Sequence, residues 1–268
     1  MTDQKNPYLG PTLAANSSYI VSGDGPPVVL VHGMGLKLEM WRGQVEAMET
    51  AFTVVRYDLL GHGGSPGRPG VYELQDFVDQ LSRLLAHLDI ECCALVGFSL
   101  GGLIAQAFAL AHPRQVARLA ILNAGFDRSE AERAGMLERL RIAREDGHGA
   151  TVETALERWF TPVFAARRGE VVEQVGKWMW ANDRDTYAEI YRVLAHGDKE
   201  LADRLPGISC PTLVLTCEDD SGSPPHMAQA MARAIPNAEL AIVPRLRHMG
   251  LLEDPGAINK ILLPFLTS

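Results

Sequence analysis

Gly97-Phe98-Ser99-Leu100-Gly101 stands between the apolar run Cys93–Val96 and the continuously apolar segment Leu103–Ala111. A turn with glycine at both ends, joining a strand to a helix, demands a sharp reversal in which two stretches of backbone nearly touch. The flanking segments repeat this strand-then-helix pattern. Pro27–Val31, Thr53–Tyr57, Leu119–Leu122, Thr212–Thr216 and Leu240–Val243 are short runs rich in Val, Ile and Leu. They lack polar alternation, as strands covered on both faces do. Leu74–Leu88, Met227–Ile235 and Ala257–Phe265 carry helical period. Strands alternating with helices build an α/β fold, a parallel sheet flanked by helices.

One stretch departs from the alternation. From about Asp127 to about Leu205 only helical periods appear. Ser129 with Glu132 forms a capping box that opens one helix. Val152, Ala155, Leu156, Trp159, Phe160 and Val163 predict a second. Val171, Val175, Trp178 and Met179 predict a third, and Tyr187, Ile190, Tyr191 and Leu194 a fourth. Gly147, Gly149, Gly169 and Gly197 read as breaks between them. The expected organisation is a helical cap over residues 127–205, inserted into a core made of 1–126 and 206–268.

The turn at Ser99 also carries chemistry. A serine hydroxyl is a weak nucleophile near neutral pH and needs a base within hydrogen-bond reach, itself oriented by a third group. In this strand–turn–helix context the chain order is serine, acid, histidine. Of the eight histidines, His248 follows the last apolar run and is the expected base, whereas His226 reads as a surface residue. The acid should close the preceding strand, where Glu218, Asp219 and Asp220 are all available; Asn123, at the end of the earlier strand, is no carboxylate. Acyl transfer further requires donors aimed at an oxyanion, and the backbone N–H groups of Met34 and Leu100 stand at the expected chain positions. His32 and His62 read as structural ties, with Asp58 anchoring its turn. Trp159, Trp180 and Tyr191 are candidate pocket walls, and Arg192 or Arg42 a candidate partner for a substrate carboxylate.

Composition narrows the classes. A net charge of −8 argues against nucleic acid or an anionic membrane as partner. No run of about 18 apolar residues suits a membrane span. The N-terminal MTDQKNPYLGPT shows neither the basic nor the apolar region of a signal peptide. The four cysteines, Cys92, Cys93, Cys210 and Cys217, form no C-x-x-C pair, so a reducing, cytoplasmic setting is expected. No metal-ligand spacing and no nucleotide-binding loop occurs, so neither metal nor cofactor is expected. A monomer and a homodimer stay equally open.

With His32–Gly35 (HGMG), Asp58–Ser65 (DLLGHGGS), Gly97–Gly102 (GFSLGG), Cys217–Pro225 (CEDDSGSPP) and Arg247–Pro255 (RHMGLLEDP) in this order, the chain resembles the α/β-hydrolase family from about Pro26 to its end. It is most similar to the subgroup of 3-oxoadipate enol-lactonases and related small esterases. Glu157–Phe164 (ERWFTPVF) and Asn182–Asp198 (NDRDTYAEIYRVLAHGD) resemble cap segments of that subgroup. The resemblance implies a mostly parallel eight-stranded sheet, a cap after the sixth strand, and the triad Ser99, Asp220 and His248. It implies a serine hydrolase of a small ester or lactone. Cleavage of a C–C bond in a diketone-like substrate, acyl transfer to an acceptor other than water, and ligand binding without catalysis stand as alternatives. Phe98 departs from the Asn usual before the serine in C–C hydrolases, and Cys217 from the usual Gly.

Overall fold

The computed structural model describes residues 12–268; the stretch read for a signal peptide lies outside the described residues, apart from Thr12. Eight strands form one sheet in the order β1-β2-β4-β3-β5-β6-β7-β8. They are β1 (Thr12–Ala14), β2 (Ser17–Ser22), β3 (Pro27–Val31), β4 (Thr53–Tyr57), β5 (Cys93–Phe98), β6 (Val116–Leu122), β7 (Thr212–Cys217) and β8 (Ala238–Val243). β2 runs antiparallel to both β1 and β4, and every other pairing is parallel. Helices α1 (Arg42–Met48), α2 (Leu74–His87), α3 (Leu100–Ala111), α9 (Pro225–Ala234), α10 (Gly250–Glu253) and α11 (Pro255–Thr267) accompany the sheet.

Both faces of the central strands are buried, which is why their sequences show no alternation. Val29, Val31, Val55, Leu95, Leu119 and Ile121 pack with α2 and α3. Their neighbours Val28, Leu30, Val54, Val96, Ala120 and Leu122 pack with α1 and α11. The expectation of full cover fails at β8. That strand lies at the sheet edge, with Leu240 and Ile242 exposed. β2 carries no apolar run because its buried positions include Ser17 and Ser18, whose environment is polar: Ser18 N–H donates to Ser65 Oγ at 2.9 Å, and Gln80 Nε2 donates to Ser17 Oγ at 3.1 Å.

Between β6 and β7 lie five α-helices and no strand: α4 (Glu130–Glu145), α5 (Val152–Trp159), α6 (Pro162–Arg167), α7 (Gly169–Trp180) and α8 (Arg184–Leu201). The capping box of Ser129 and Glu132 is formed at the start of α4. The single helix expected over 152–163 is two. The chain turns extended at Phe160 and Thr161, because a residue preceding proline avoids helical geometry and Pro162 can only begin a new helix. Gly197 is not a break; it lies inside α8, buried, where an added Cβ would sit 3.4 Å from Leu103. α8 joins the core on the α3 side, while α5 and α7 join the other. Among the described residues no helix is long and apolar enough to cross a membrane, and no group of three or more His, Cys, Asp or Glu could hold a metal.

Candidate active site

Ser99 caps the start of α3 with φ 55° and ψ −115°, a left-handed conformation costly for a residue with a Cβ, on the order of 1–3 kcal/mol. The surroundings enforce it. A Cβ on Gly97 would meet the Gly101 carbonyl oxygen at 2.2 Å, and one on Gly101 would meet the Val31 carbonyl oxygen at 2.1 Å. Both glycines are therefore steric requirements of the turn. Ser99 N–H donates to the Leu122 carbonyl at 2.9 Å, locking the turn to β6. Leu100 begins α3, so its N–H has no intrahelical acceptor.

The loop after β3 lies beside this turn. In it, Gly35 N–H donates to His62 Nε2 at 2.9 Å and Leu36 N–H to the Gly33 carbonyl. Met34, between them, lines the same cavity as Ser99. His32 Nδ1 donates to the Gly33 carbonyl, and its Nε2 accepts from Leu59 N–H at 2.9 Å. That nitrogen is thereby occupied as an acceptor, so the 3.9 Å approach of Asp58 is no ion pair. Burial lowers His32 to about 4, and burial with His32 nearby lowers His62 to about 3. Both are neutral ties. Asp58 receives Leu38 N–H and Gly64 N–H at 2.8 Å each, anchoring the turn as expected.

His248 follows β8. Its Nδ1 lies 2.7 Å from Asp220 Oδ2, which leaves Nε2 as the nitrogen free for proton transfer. Of the three candidate carboxylates only Asp220 makes this contact; Glu218 and Asp219 are exposed. Asp220 is 1 % exposed and fully engaged. Oδ1 accepts from Gly222 and Ser223 N–H at 2.8 and 3.1 Å, and Oδ2 also accepts from Asn123 Nδ2 at 2.8 Å. Burial alone would raise its pKa. The neighbouring imidazole and these donors outweigh burial and hold the carboxyl below the usual range. The imidazole packs between Phe98 and Trp159, with ring centroids 4.9 and 5.5 Å away. Burial pushes the Cys217 thiol up to about 12, so this departure from the family pattern behaves as an inert apolar residue.

A half-enclosed cavity joins Ser99, His248 and Met34 to the cap residues Trp159 and Tyr191. One expected wall residue and both candidate carboxylate partners are elsewhere. Trp180 is 58 % exposed and packs over Gly149, because it ends α7 on the outer side. Arg192 points away to the Tyr72 carbonyl, Glu73 and Glu189. Arg42 is likewise outside, paired with Glu46 at the surface. His226 is exposed beside Glu132. The cationic residues that do line the cavity are Arg128, Arg139 and Arg158, none of which was singled out from the sequence. A signal existed for one of them. Arg139 falls on the stripe of buried Met136, Leu140 and Ala143 in α4, where an apolar residue is expected. Asn123 was read only as a missing carboxylate; its service to Asp220 arises across 97 positions and has no local signature.

An eight-stranded α/β sheet with a strained serine turn and a buried Asp–His pair at one cavity defines the class, and the alpha/beta hydrolase fold family model matches residues 26–255. The chain belongs to that family. It is 33% identical to the (E)-2-((N-methylformamido)methylene)succinate hydrolase of Acinetobacter baylyi, over 92% of this chain and 93% of that protein. The enol-lactonase of Burkholderia xenovorans has a similar structure, with a TM-score of 0.88, 28% identity, and 94% and 96% of the two chains covered. An esterase of Thermogutta terrifontis, crystallised with malate bound, gives a TM-score of 0.86 at 30% identity over 94% and 93%.

Proposed function

We propose that this chain is a serine hydrolase that cleaves a small ester or lactone through an acyl-enzyme. The observation that carries the reading is the 2.7 Å His248–Asp220 bond at the cavity that Ser99 also lines. Ser99 Oγ attacks the substrate carbonyl while His248 Nε2 takes its proton. The N–H groups of Met34 and Leu100 receive the developing oxyanion. The tetrahedral adduct collapses, the C–O bond to the leaving group breaks, and His248 returns the proton to the departing oxygen. Water then repeats the path, with His248 as base, and releases the acid and free Ser99. Asp220 holds the imidazole in the Nδ1–H tautomer and stabilises its charged form. In this reading residues 127–205 act as the cap that shapes the substrate space, and 1–126 with 206–268 carry the reacting groups.

The relatives named as a hydrolase, an enol-lactonase and an esterase support the reaction class. The test is labelling by a fluorophosphonate followed by peptide mapping, together with turnover of Ser99→Ala. The expected result is modification at Ser99 and a loss of kcat of about 10⁴-fold or more in the variant. Labelling elsewhere, or a variant that keeps most of its turnover, overturns the mechanism.

A further inference from the structure

Three arginines line the cavity that Ser99 also lines, and no carboxylate lines it among the described residues. Arg128 is 8 % exposed. Behind it lies Asp198, 1 % exposed, whose two oxygens also receive Arg133 Nη1 and Nη2 at 3.1 Å each. Arg128 N–H donates to Asp198 Oδ2 at 2.9 Å. Its Nη1 lies 3.0 Å from Asp198 Oδ1 but off the line of a hydrogen bond, and is buried without a hydrogen-bond partner. Two guanidinium groups thus share one carboxylate, and the cluster retains a positive charge at the cavity wall. The position is built for it: a Cβ on Gly125 would strike Arg128 Nη2 at 1.9 Å.

The other two cations have less. Arg139 Nε donates to Tyr191 Oη at 3.0 Å, and Arg158 Nε to the Thr154 carbonyl at 3.0 Å. Neither forms an ion pair among the described residues, and in each only Nε, not a terminal nitrogen, donates a hydrogen bond there. Burial, followed by the nearby Arg139, lowers the pKa of Arg158, as expected of two guanidinium groups near one another. Three like charges around one cavity repel one another, and a bound anion would offset that cost. Guanidinium forks match carboxylate oxygens in geometry as well as charge.

We infer that Arg128, Arg139 and Arg158 form an anion subsite that selects substrates bearing a free carboxylate, such as a half-ester or lactone of a dicarboxylic acid. This rests on the hydrolase reading above and specifies its substrate class. Hydrolysis of such a compound adds one carboxylate and one proton, so the product is an anion of higher charge held by the same wall.

Two measurements test the subsite separately from the chemistry. In the first, full-length Ser99→Ala is titrated calorimetrically with glutarate, with neutral glutaramide and with inorganic phosphate. Glutarate is expected to bind more tightly than either by about tenfold or more, and to lose about tenfold or more in Arg139→Gln and Arg158→Gln, but not in Arg192→Gln. In the second, the active protein is given a mono-aryl glutarate and the matching aryl pentanoate. The half-ester is expected to show the higher kcat/KM, and each cavity-arginine variant to lose about tenfold more on it than on the pentanoate. Because Arg128 also holds Asp198, the less buried Arg139 and Arg158 carry the test. Equal binding of glutarate and glutaramide, tighter binding of phosphate, no glutarate binding at millimolar concentration, or undiminished binding in both arginine variants overturns the subsite. Arginine-dependent glutarate binding without labelling of Ser99 or turnover of either ester supports the subsite and removes the hydrolase reading instead.

Discussion

The carboxylate behind His248 and the guanidinium groups across the cavity are opposite kinds of charged site. Asp220 is saturated by four donors drawn from three separate stretches of chain, and each is already in place. Arg128 shares the one carboxylate of Asp198 with Arg133, and Arg139 and Arg158 have no acid partner among the described residues. A preorganised group keeps its partners throughout a reaction and pays no reorganisation. A group left short of partners is completed by what binds. In the proposed reading, the contrast separates the machinery, carried by strands β5 to β8, from recognition, carried mainly by residues 127–205.

The strongest way to break this contrast is to corrupt the saturated side without changing its shape. In Asp220→Asn one oxygen becomes an NH₂. The N–H groups of Gly222 and Ser223 both point at Oδ1 and require an acceptor there. The amide nitrogen is then forced to the Oδ2 position, facing His248 Nδ1. An N–H donor at that place favours the imidazole tautomer protonated at Nε2, which cannot take the Ser99 proton. The expected loss of kcat is about 10⁴-fold, with a stability loss of about 1–3 kcal/mol because Asn123 Nδ2 also loses its acceptor at Oδ2. A variant within tenfold of the parent would show that Asp220 does not set the tautomer.

A smaller effect concerns the two histidine ties next to the site. The folded chain keeps His32 near 4 and His62 near 3, both below an ordinary histidine near 6.5. Between those values the unfolded chain binds more protons, so stability rises with pH there and falls on acidification from pH 6.5. By pH 5 the loss is about 2 kcal/mol for each residue. Urea unfolding at pH 7 and pH 5 measures it. His62→Gln, which retains an acceptor for Gly35 N–H, is expected to flatten the slope by roughly half. Asp220 acts in the same direction at lower pH. Its carboxylate is stabilised by folding, and that contribution is lost as pH falls through its depressed pKa. An unchanged slope in His62→Gln would show that this imidazole is not what acid attacks.

The same contrast explains what could be read in advance. The serine turn was legible because its demands are local: two glycines, a strand before and a helix after. The central strands were legible because burial on both faces leaves unbroken apolar runs. β2 was not, because Ser17 and Ser18 are buried through hydrogen bonds rather than apolar contact. Asp220 needed the family pattern to be chosen from three adjacent acids, since only the path of the loop decides which one turns inward. The cavity arginines were missed for a related reason. Arg192 and Arg158 look equally like solvated helix residues, and which of them lines the cavity depends on how α8 and α5 dock. Trp180 failed similarly, as an aromatic at helical spacing that ends on the outer side of its helix.

In the proposed reading, machinery and recognition meet at a seam beside His248. Met249 N–H donates to the Trp159 carbonyl at 2.9 Å, and Arg247 Nη1 donates to the Glu157 and Phe160 carbonyls. Glu253, at the end of α10, accepts from Thr161 N–H at 2.8 Å and from its hydroxyl at 2.5 Å. The link between α5 and α6 is thus strapped to the loop that carries His248, and Trp159 is pressed against the imidazole. Glu253→Ala leaves two donors of Thr161 without their acceptor, at a cost of about 1–3 kcal/mol. If the strap only adds stability, kcat/KM of the folded variant is unchanged. If it positions the imidazole, small displacements of Trp159 reach the reacting nitrogen, and kcat/KM falls by about tenfold at a temperature where the variant is fully folded. The packing of Trp159 on His248 favours the second outcome. Circular dichroism melting alongside steady-state turnover separates them, since a melting shift without a kinetic change would confine the seam to stability.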